Sequence, residues 1–454
     1  MESDAKRRGR RSWLVAVLAV TGGLALAAIA WTVRRSNLPP PNILMVVIDS
    51  LRADRVGSCG SPQRLTPFLD RLAAESLVYD RAYSPSSWTV PSVVSLFTGE
   101  MPSEHGFTKF FANIAPDKTT IAEALSARGY ATFGVSANNA ISGMLGFGRG
   151  FDEYKIVGNP TFASPKEEGG LVNAELLRLL DLADPRQPVF AYLHYMDAHM
   201  PYRSHPDLTP PRAAGLDRSD ESLNGALIWG RSDFSIDDTW RLQDLYDGEV
   251  RYTDGLLRDL FAQLEQRGFL RDALVIVTAD HGEEFGAHGA FGHGTSLFEA
   301  SIHVPLIIRT PDKRIAHIAQ PVQIAGLAAF IVGSASAARP PSMDVASLPT
   351  TVDTRHAPAP VLSELVASTS KTVWSHKQAL IVGAQKLVVT PDDEQVAYDL
   401  HADPFERRPH APDPLLTRAL ADTLKQLRAA GEVRQITPDD ATRERLRAAG
   451  YLND

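Results

Sequence analysis

Apolar positions along the chain fall into two alternating rhythms. Short apolar runs at Ile43–Ile48, Ala131–Ser136, Val189–Tyr195 and Ala273–Thr278 read as buried strands. Between them apolar residues recur at helical spacing: Phe68, Leu69, Leu72 and Ala73 within Thr66–Ser76, a second helix over Thr119–Arg128 closed by Gly129, and a third over Gln243–Gln266. Strands that are apolar on both faces, alternating with helices, predict an α/β fold with a mostly parallel sheet flanked by helices. Two stretches break the rhythm. His205–Asp238 is rich in Pro, Asp, Ser and Gly and reads as a long surface insertion, a candidate lid over a site. Ser334–His356 is a second connection without periodicity. Beyond it, Val361–Leu400 holds short strand-like runs such as Gln378–Val382 and Lys386–Val389, and Pro414–Ala429 closes with an amphipathic helix. The predicted division is a main domain over 42–345 and a small C-terminal α+β subdomain over 346–454.

The N-terminus departs from this alternation. Trp13–Val33 is an uncharged run of 21 residues, long enough for a transmembrane helix. Basic residues cluster in 1–12 and outweigh Arg34 and Arg35 behind the run, which leaves the N-terminus cytoplasmic and the body extracytoplasmic. The length favours a retained single-pass anchor at 13–33. Ala25-Leu-Ala27 and Ala28-Ile-Ala30 also fit cleavage of a signal peptide, and Arg10-Arg11 faintly resembles a twin-arginine signal. Residues 34–41, with Pro39-Pro40-Pro41, read as a short stiff linker.

Composition narrows the classes. The first 35 residues carry seven basic and two acidic side chains, a net of +5, so the remainder holds −13 within the total of −8. An acidic body without a basic stripe argues against a nucleic-acid partner. Cys59 is the only cysteine, which excludes an intrachain disulfide and a cysteine-based zinc site. At 454 residues, 44% hydrophobic and 22% charged, the body is globular and large enough for one main core.

Candidate chemistry gathers where strands end, because open parallel sheets bind ligands beyond the carboxyl ends of their strands. Val46-Val-Ile-Asp49 ends a strand in a carboxylate, and Val275-Ile-Val-Thr-Ala-Asp280-His281 ends another in a carboxylate and an imidazole. Asp49 alone reads more readily as a cap for a following helix. With Asp280 and His281 it forms a plausible oxygen and nitrogen ligand set for one divalent metal ion. In Ser87-Trp-Thr89-Val-Pro91, Pro91 suits the first turn of a helix and Gly99 its end, which puts Thr89 at the helix N-terminus. Its hydroxyl there either caps the helix or, beside a metal, serves as a nucleophile. His194 and His199 follow a strand, and His288 and His293 lie in a glycine-rich loop after the Asp-His pair; loop histidines at one sheet edge suit anion binding or proton donation. Of these, His199 and His293 are assigned that role, whereas Asn138, His288 and Arg52 read more readily as structural, and Glu299 as a residue that positions loops.

These segments resemble the sulfatase family, within the alkaline phosphatase superfamily. The opening pattern is Pro41-Asn-Ile-Leu-Met-Val-Val-Ile-Asp49-Ser-Leu-Arg52-Ala-Asp54, followed by Thr66-Pro-Phe-Leu-Asp70-Arg-Leu-Ala73. The nucleophile motif corresponds to Thr89-Val-Pro91-Ser92-Val93, the metal and anion motifs to Thr278-Ala-Asp280-His281-Gly282-Glu-Glu and His293-Gly-Thr-Ser-Leu-Phe-Glu299, and the C-terminal ending to Tyr398-Asp399-Leu-His-Ala-Asp403-Pro. The match spans about residues 41–410.

The resemblance implies an alkaline-phosphatase-like fold and a metal-dependent sulfuric ester hydrolase, with Asp49, Thr89, Asp280 and His281 around Ca²⁺, Mn²⁺ or Zn²⁺. It implies Thr89, His199 and His293 as catalytic residues. The chain departs from the family pattern at several points. Family members convert a Cys or Ser to formylglycine, which Thr89 cannot become; the following Arg is Val93, the second Asp of the first pair is Ser50, a Lys-x-His segment is replaced by Ser136-Ala-Asn-Asn139, and a later Lys is His293. An acid, a Thr and an Asp-His pair resemble the one-metal site of phosphoglycerol and phosphoethanolamine transferases. The substrate implied is a sulfate or phosphate ester on a glycan or a lipid head group, with a phosphodiesterase, a head-group transferase and a catalytically degenerate relative as alternatives. One metal without added Arg or Lys suits a singly charged group.

The N-terminal reading predicts that the full chain stays with the membrane pellet through an alkaline carbonate wash and is released by detergent. Recovery in the soluble fraction, shortened after Ala27 or Ala30, would mark a cleaved signal instead.

Overall fold

A computed structural model of the chain describes residues 40–427, apart from 108–112, 159–167, 212–217, 229, 344, 352–358, 369–372, 391 and 393. The expected anchor at 13–33 lies outside these residues, and among the described residues no helix is long and apolar enough to cross a membrane. The apolar runs become strands Ile43–Ile48 (β1), Leu77–Tyr79 (β2), Ala131–Ser136 (β3), Glu153–Ile156 (β4), Val189–Tyr195 (β5), Leu274–Thr278 (β6), Leu306–Arg309 (β7) and Ala316–Ile318 (β8). They form one sheet in the order β8-β2-β7-β6-β1-β5-β3-β4. Every residue of β1, β3, β5 and β6 is buried, so both faces of the sheet centre are covered, as the unbroken apolar runs require. The sheet is mixed: most pairs are parallel, as the alternation of strands and helices predicts, and β7 runs antiparallel to both β6 and β2. The strand pairs that meet at the site, β6 with β1 and β1 with β5, are parallel.

The helices are Pro67–Ala73 (α1), Thr89–Thr98 (α2), Ile121–Ser126 (α3), Glu168–Leu182 (α4), Asp220–Ile228 (α5), Ile236–Gln266 (α6) and Leu327–Ser334 (α7). The segment read as a long irregular insertion, His205–Asp238, contains α5 and the first residues of α6. That helix starts at Ile236 rather than Gln243, because Ser235 accepts a hydrogen bond from Asp238 N and Asp238 answers to Ser235 N, a reciprocal cap that fixes the first turn. Further along α6, buried Asp254 caps a different helix: its two carboxylate oxygens accept Phe68 N and Leu69 N, both at 2.9 Å, at the start of α1.

Beyond α7, Val361–Ser368 (β9), Val373–Val382 (β10), Gln385–Val389 (β11) and Gln395–Asp399 (β12) form an antiparallel sheet in chain order, followed by Pro414–Gln426 (α8). Its core joins Leu380, Leu387 and Ala397 to Leu416 and Leu420 of α8 and to Met101 of the main body. Lys386 of β11 is wholly buried between Glu299 Oε1 at 3.0 Å and Glu406 Oε1 at 2.7 Å. Burial works against the charged amine, but the two carboxylates hold its pKa above the usual value.

Replacing Asp254 with Ala leaves two helix N–H groups of α1 without acceptors in a buried setting. A loss of about 1–2 kcal/mol is expected in chemical denaturation, with secondary structure retained by circular dichroism.

Candidate active site

Strand register builds the site. Ile48 of β1 is level with Tyr195 of β5, Val47 is level with Thr278 of β6, and Ser136 of β3 is level with His194. The residues just beyond these ends therefore meet. Asp49 N continues the ladder to Tyr195 O at 2.9 Å, and Ser50 then turns the chain sharply with φ +61°, a left-handed conformation uncommon for a residue with a side chain. Tyr246 of α6 holds that turn, its hydroxyl donating to Ser50 O at 2.8 Å and accepting Arg52 N at 3.0 Å.

Asp49, Asp280 and His281 are all buried, with ligand atoms within 4.8 Å of one another. His281 Nδ1 lies 2.8 Å from Gly282 O and so carries the proton. Its Nε2 then turns a lone pair toward Asp49 Oδ1 at 3.4 Å and Asp280 Oδ2 at 3.5 Å. Among the described residues Asp280 Oδ2 has no hydrogen-bond partner, while its Oδ1 accepts Ser50 N and His281 N. Three buried lone-pair donors converging without a proton between them are what a divalent cation satisfies, and the oxygen and nitrogen set fits Ca²⁺, Mn²⁺ or Zn²⁺. No Lys or Arg pairs with either carboxylate among the described residues. Burial tends to raise Asp49, yet His199, the hydrogen bond from His194 and His281 together hold it well below the ordinary carboxylate range. Burial and the adjacent Asp49 charge raise Asp280. Gly282 permits the close approach behind the pair: an added Cβ would sit 2.0 Å from Ala300 O, and Gly282 N and Glu283 N donate to Ser301 O and Ala300 O.

Thr89 is the first residue of α2, with Trp88 extended before it and Gly99 in the left-handed region closing the helix. Its Oγ1 lies 3.2 Å from His281 Nε2 and 3.4 Å from Asp49 Oδ2, and it is not spent capping α2, whose N-terminus has no side-chain cap. The first-turn N–H groups of the same helix supply positive potential at that point.

Two further imidazoles complete the group. The ring of His293 lies 4.5 Å from that of His281 and 4.8 Å from that of His199, centroid to centroid. His199 Nδ1 is 2.5 Å from Met200 O, which fixes a proton there and directs Nε2 away from its own backbone. His293 Nδ1 donates to Glu283 Oε1 at 3.0 Å, and Tyr202 hydroxyl donates to Glu283 Oε2 at 2.8 Å. Burial would depress His293, but the Glu283 carboxylate beside it raises its pKa overall.

The six residues singled out from sequence are thus brought together: Asp49, Thr89, Asp280, His281, His199 and His293. Asn138, read as structural, belongs with them, since its Nδ2 donates to Asp49 Oδ2 at 2.8 Å. Arg52, His288 and Glu299 do not join the group. Arg52 is bound to Asp54 and Glu283 O; His288 stacks on Phe298 with Nε2 on Phe405 O; Glu299 accepts from Lys386 and Tyr83. Sequence reasoning missed Glu283 and left His194 without a role. His194 lies within β5 with Nε2 3.0 Å from Asp49 Oδ2. The available signal was a lone histidine inside an apolar strand, a buried polar group that requires a partner.

A family model for Sulfatase matches residues 41–337. Human iduronate 2-sulfatase (Homo sapiens) is 24% identical over 367 residues, covering 66% of this chain and 64% of that protein, so the chain spans just under two thirds of that relative. Among solved structures, a protein in complex with its substrate D-glucosamine-2-N,6-O-disulfate is similar with a TM-score of 0.72 at 18% identity, covering 86% of this chain and 98% of the other. The phosphonate monoester hydrolase of Agrobacterium radiobacter gives a TM-score of 0.70 at 18% identity, covering 85% and 94%. At these identities the structural likeness is one of fold.

Replacing Asp280 with Ala removes one of the three converging donors. Divalent cation affinity, followed by calorimetry on metal-stripped protein, is expected to fall by more than the about 10–100-fold that loss of an outer hydrogen-bond partner costs.

Proposed function

We propose that this chain, which belongs to the sulfatase family, is a metal-dependent hydrolase of sulfuric ester bonds with Thr89 as its nucleophile. The observation that carries the reading is the position of Thr89 Oγ1 at a helix N-terminus, within 3.4 Å of both Asp49 and His281. A divalent cation held by Asp49, Asp280 and His281, with Thr89 beside them, would make negative charge on a neighbouring oxygen less costly. The N-terminus of α2 would orient the anionic ester group, and burial would keep competing water from it. Thr89 Oγ1 forms a bond to sulfur as the bond from sulfur to the alcohol oxygen breaks. An imidazolium at His199 or His293 gives its proton to the departing oxygen, and the proton lost by Thr89 restores that imidazole. Water then cleaves the threonine ester and returns the hydroxyl. Glu283 and Tyr202 hold His293 in the orientation and charge state this needs.

The substrate we favour is a sulfated glycan, in line with the sulfated glucosamine bound by one structural neighbour. That no described Lys or Arg pairs with either carboxylate supports a singly charged ester, because a doubly charged phosphate monoester is commonly served by two metals or extra cations. The same charge argument supports a second reading, a phosphodiester or phosphonate monoester, in line with the fold shared with the phosphonate monoester hydrolase. The catalytic body would lie outside the cytoplasmic membrane, held by the apolar run at 13–33.

Turnover of a panel of aryl and sugar sulfates, phosphodiesters, phosphonate monoesters and phosphate monoesters tests the assignment. Sulfates are expected to lead; fast phosphate monoester hydrolysis with slow turnover of the others would overturn it. Thr89→Ala should lower kcat by about a thousandfold or more while the bound metal is retained, and undiminished turnover would remove Thr89 from the chemistry.

A further inference from the structure

We infer that His194, backed by Tyr192, is a positioning residue for the cation site: it occupies one oxygen of Asp49 so that the other is presented to the metal. The inference rests on the metal reading above. His194 is fully buried in β5, so both ring nitrogens need partners. Nε2 lies 3.0 Å from Asp49 Oδ2 and Nδ1 lies 2.8 Å from Tyr192 hydroxyl. A carboxylate only accepts, so the Nε2 position carries the proton, and Nδ1 then accepts from the phenol. Strand alternation makes this possible, because residues 192 and 194 lie on one face of β5 and the register sets His194 level with Val47 of the neighbouring strand.

Asn138 supplies a second donor to the same oxygen, with Nδ2 at 2.8 Å, and its own orientation is fixed by Ala140 N donating to its Oδ1 at 2.8 Å. Asp49 Oδ2 therefore takes N–H groups from β5 and from the end of β3. Oδ1 accepts one hydrogen bond, from Ser50 Oγ at 3.1 Å, and otherwise faces the His281 Nε2 lone pair at 3.4 Å, the side on which Asp280 Oδ2 also lies. Where the related pattern has a second acid, this chain has Ser50. With one carboxylate fewer to hold a cation, the orientation of Asp49 matters more, and a hydrogen-bonded outer shell is what fixes a ligating carboxylate.

The test is Mn²⁺ affinity by calorimetry on metal-stripped full-length protein, with circular dichroism and thermal melting of the metal-free forms alongside. His194→Phe is expected to weaken Mn²⁺ binding about 10–100-fold. His194→Gln, whose amide nitrogen reaches the Nε2 position, should recover most of that loss, whereas His194→Asn, whose donor falls short, should not. Equal binding by the Gln and Asn variants overturns the inference even if the Phe variant fails to fold. A folded Phe variant with wild-type affinity overturns it too, while leaving the metal site standing. Wild-type protein that binds no divalent cation overturns the site and the inference together.

Discussion

Two carboxylates shut away from water at the ends of adjacent parallel strands set the terms for everything around them. Asp49 and Asp280 are both fully buried, and an isolated ion in that position costs several kcal/mol unless it is paired and hydrogen-bonded. The surrounding structure answers that cost in layers. Backbone N–H groups of Ser50 and His281 reach Asp280, side-chain N–H groups of Asn138 and His194 reach Asp49, and the remaining ligand atoms of the acids and His281 lie within 4.8 Å of one another, a set that could hold a metal ion. Even the left-handed Ser50 belongs to this arrangement, since the turn it makes is what lets its own N–H face the second acid.

What could be read in the sequence was what local pattern encodes. β1, β3 and β5 have the bounds their apolar runs indicate, because a strand buried on both faces leaves an uninterrupted signature. The start of α6, before Gln243, escaped because Ile236 and Trp240 are exposed there and the first turn is acidic, so no apolar stripe marks it. The reversed strand β7 and the short β2 and β8 were equally silent, being few residues long and defined by their neighbours. The same division holds at the site. Asp49, Asp280 and His281 follow strand ends and Thr89 opens a helix, features visible in one dimension. His194 and Glu283 acquire meaning only through register and loop path, which decide what stands opposite them.

The departures from the family pattern form a consistent set. Val93 sits wholly buried in the core where a cationic side chain would be out of place. Among the described residues its missing charge is not restored by another Arg or Lys on the acids. Instead the pocket is lined by imidazoles, and Glu283 raises the pKa of one of them, His293. A pocket of this kind carries charge that can be given away as a proton, which a guanidinium cannot do.

Lys386 ties the C-terminal sheet to the main body in a way that bears on how such chains diversify. Its ammonium group sits between Glu299, on the stretch that follows His293, and Glu406, beyond β12. Loss of the amine would leave two buried carboxylates without the cation they share, typically a penalty of about 3–5 kcal/mol. The C-terminal sheet is therefore a poor candidate for cassette-like exchange between relatives: a graft would have to bring along partners for that buried amine from both sides, one of them in the main body on the stretch after His293.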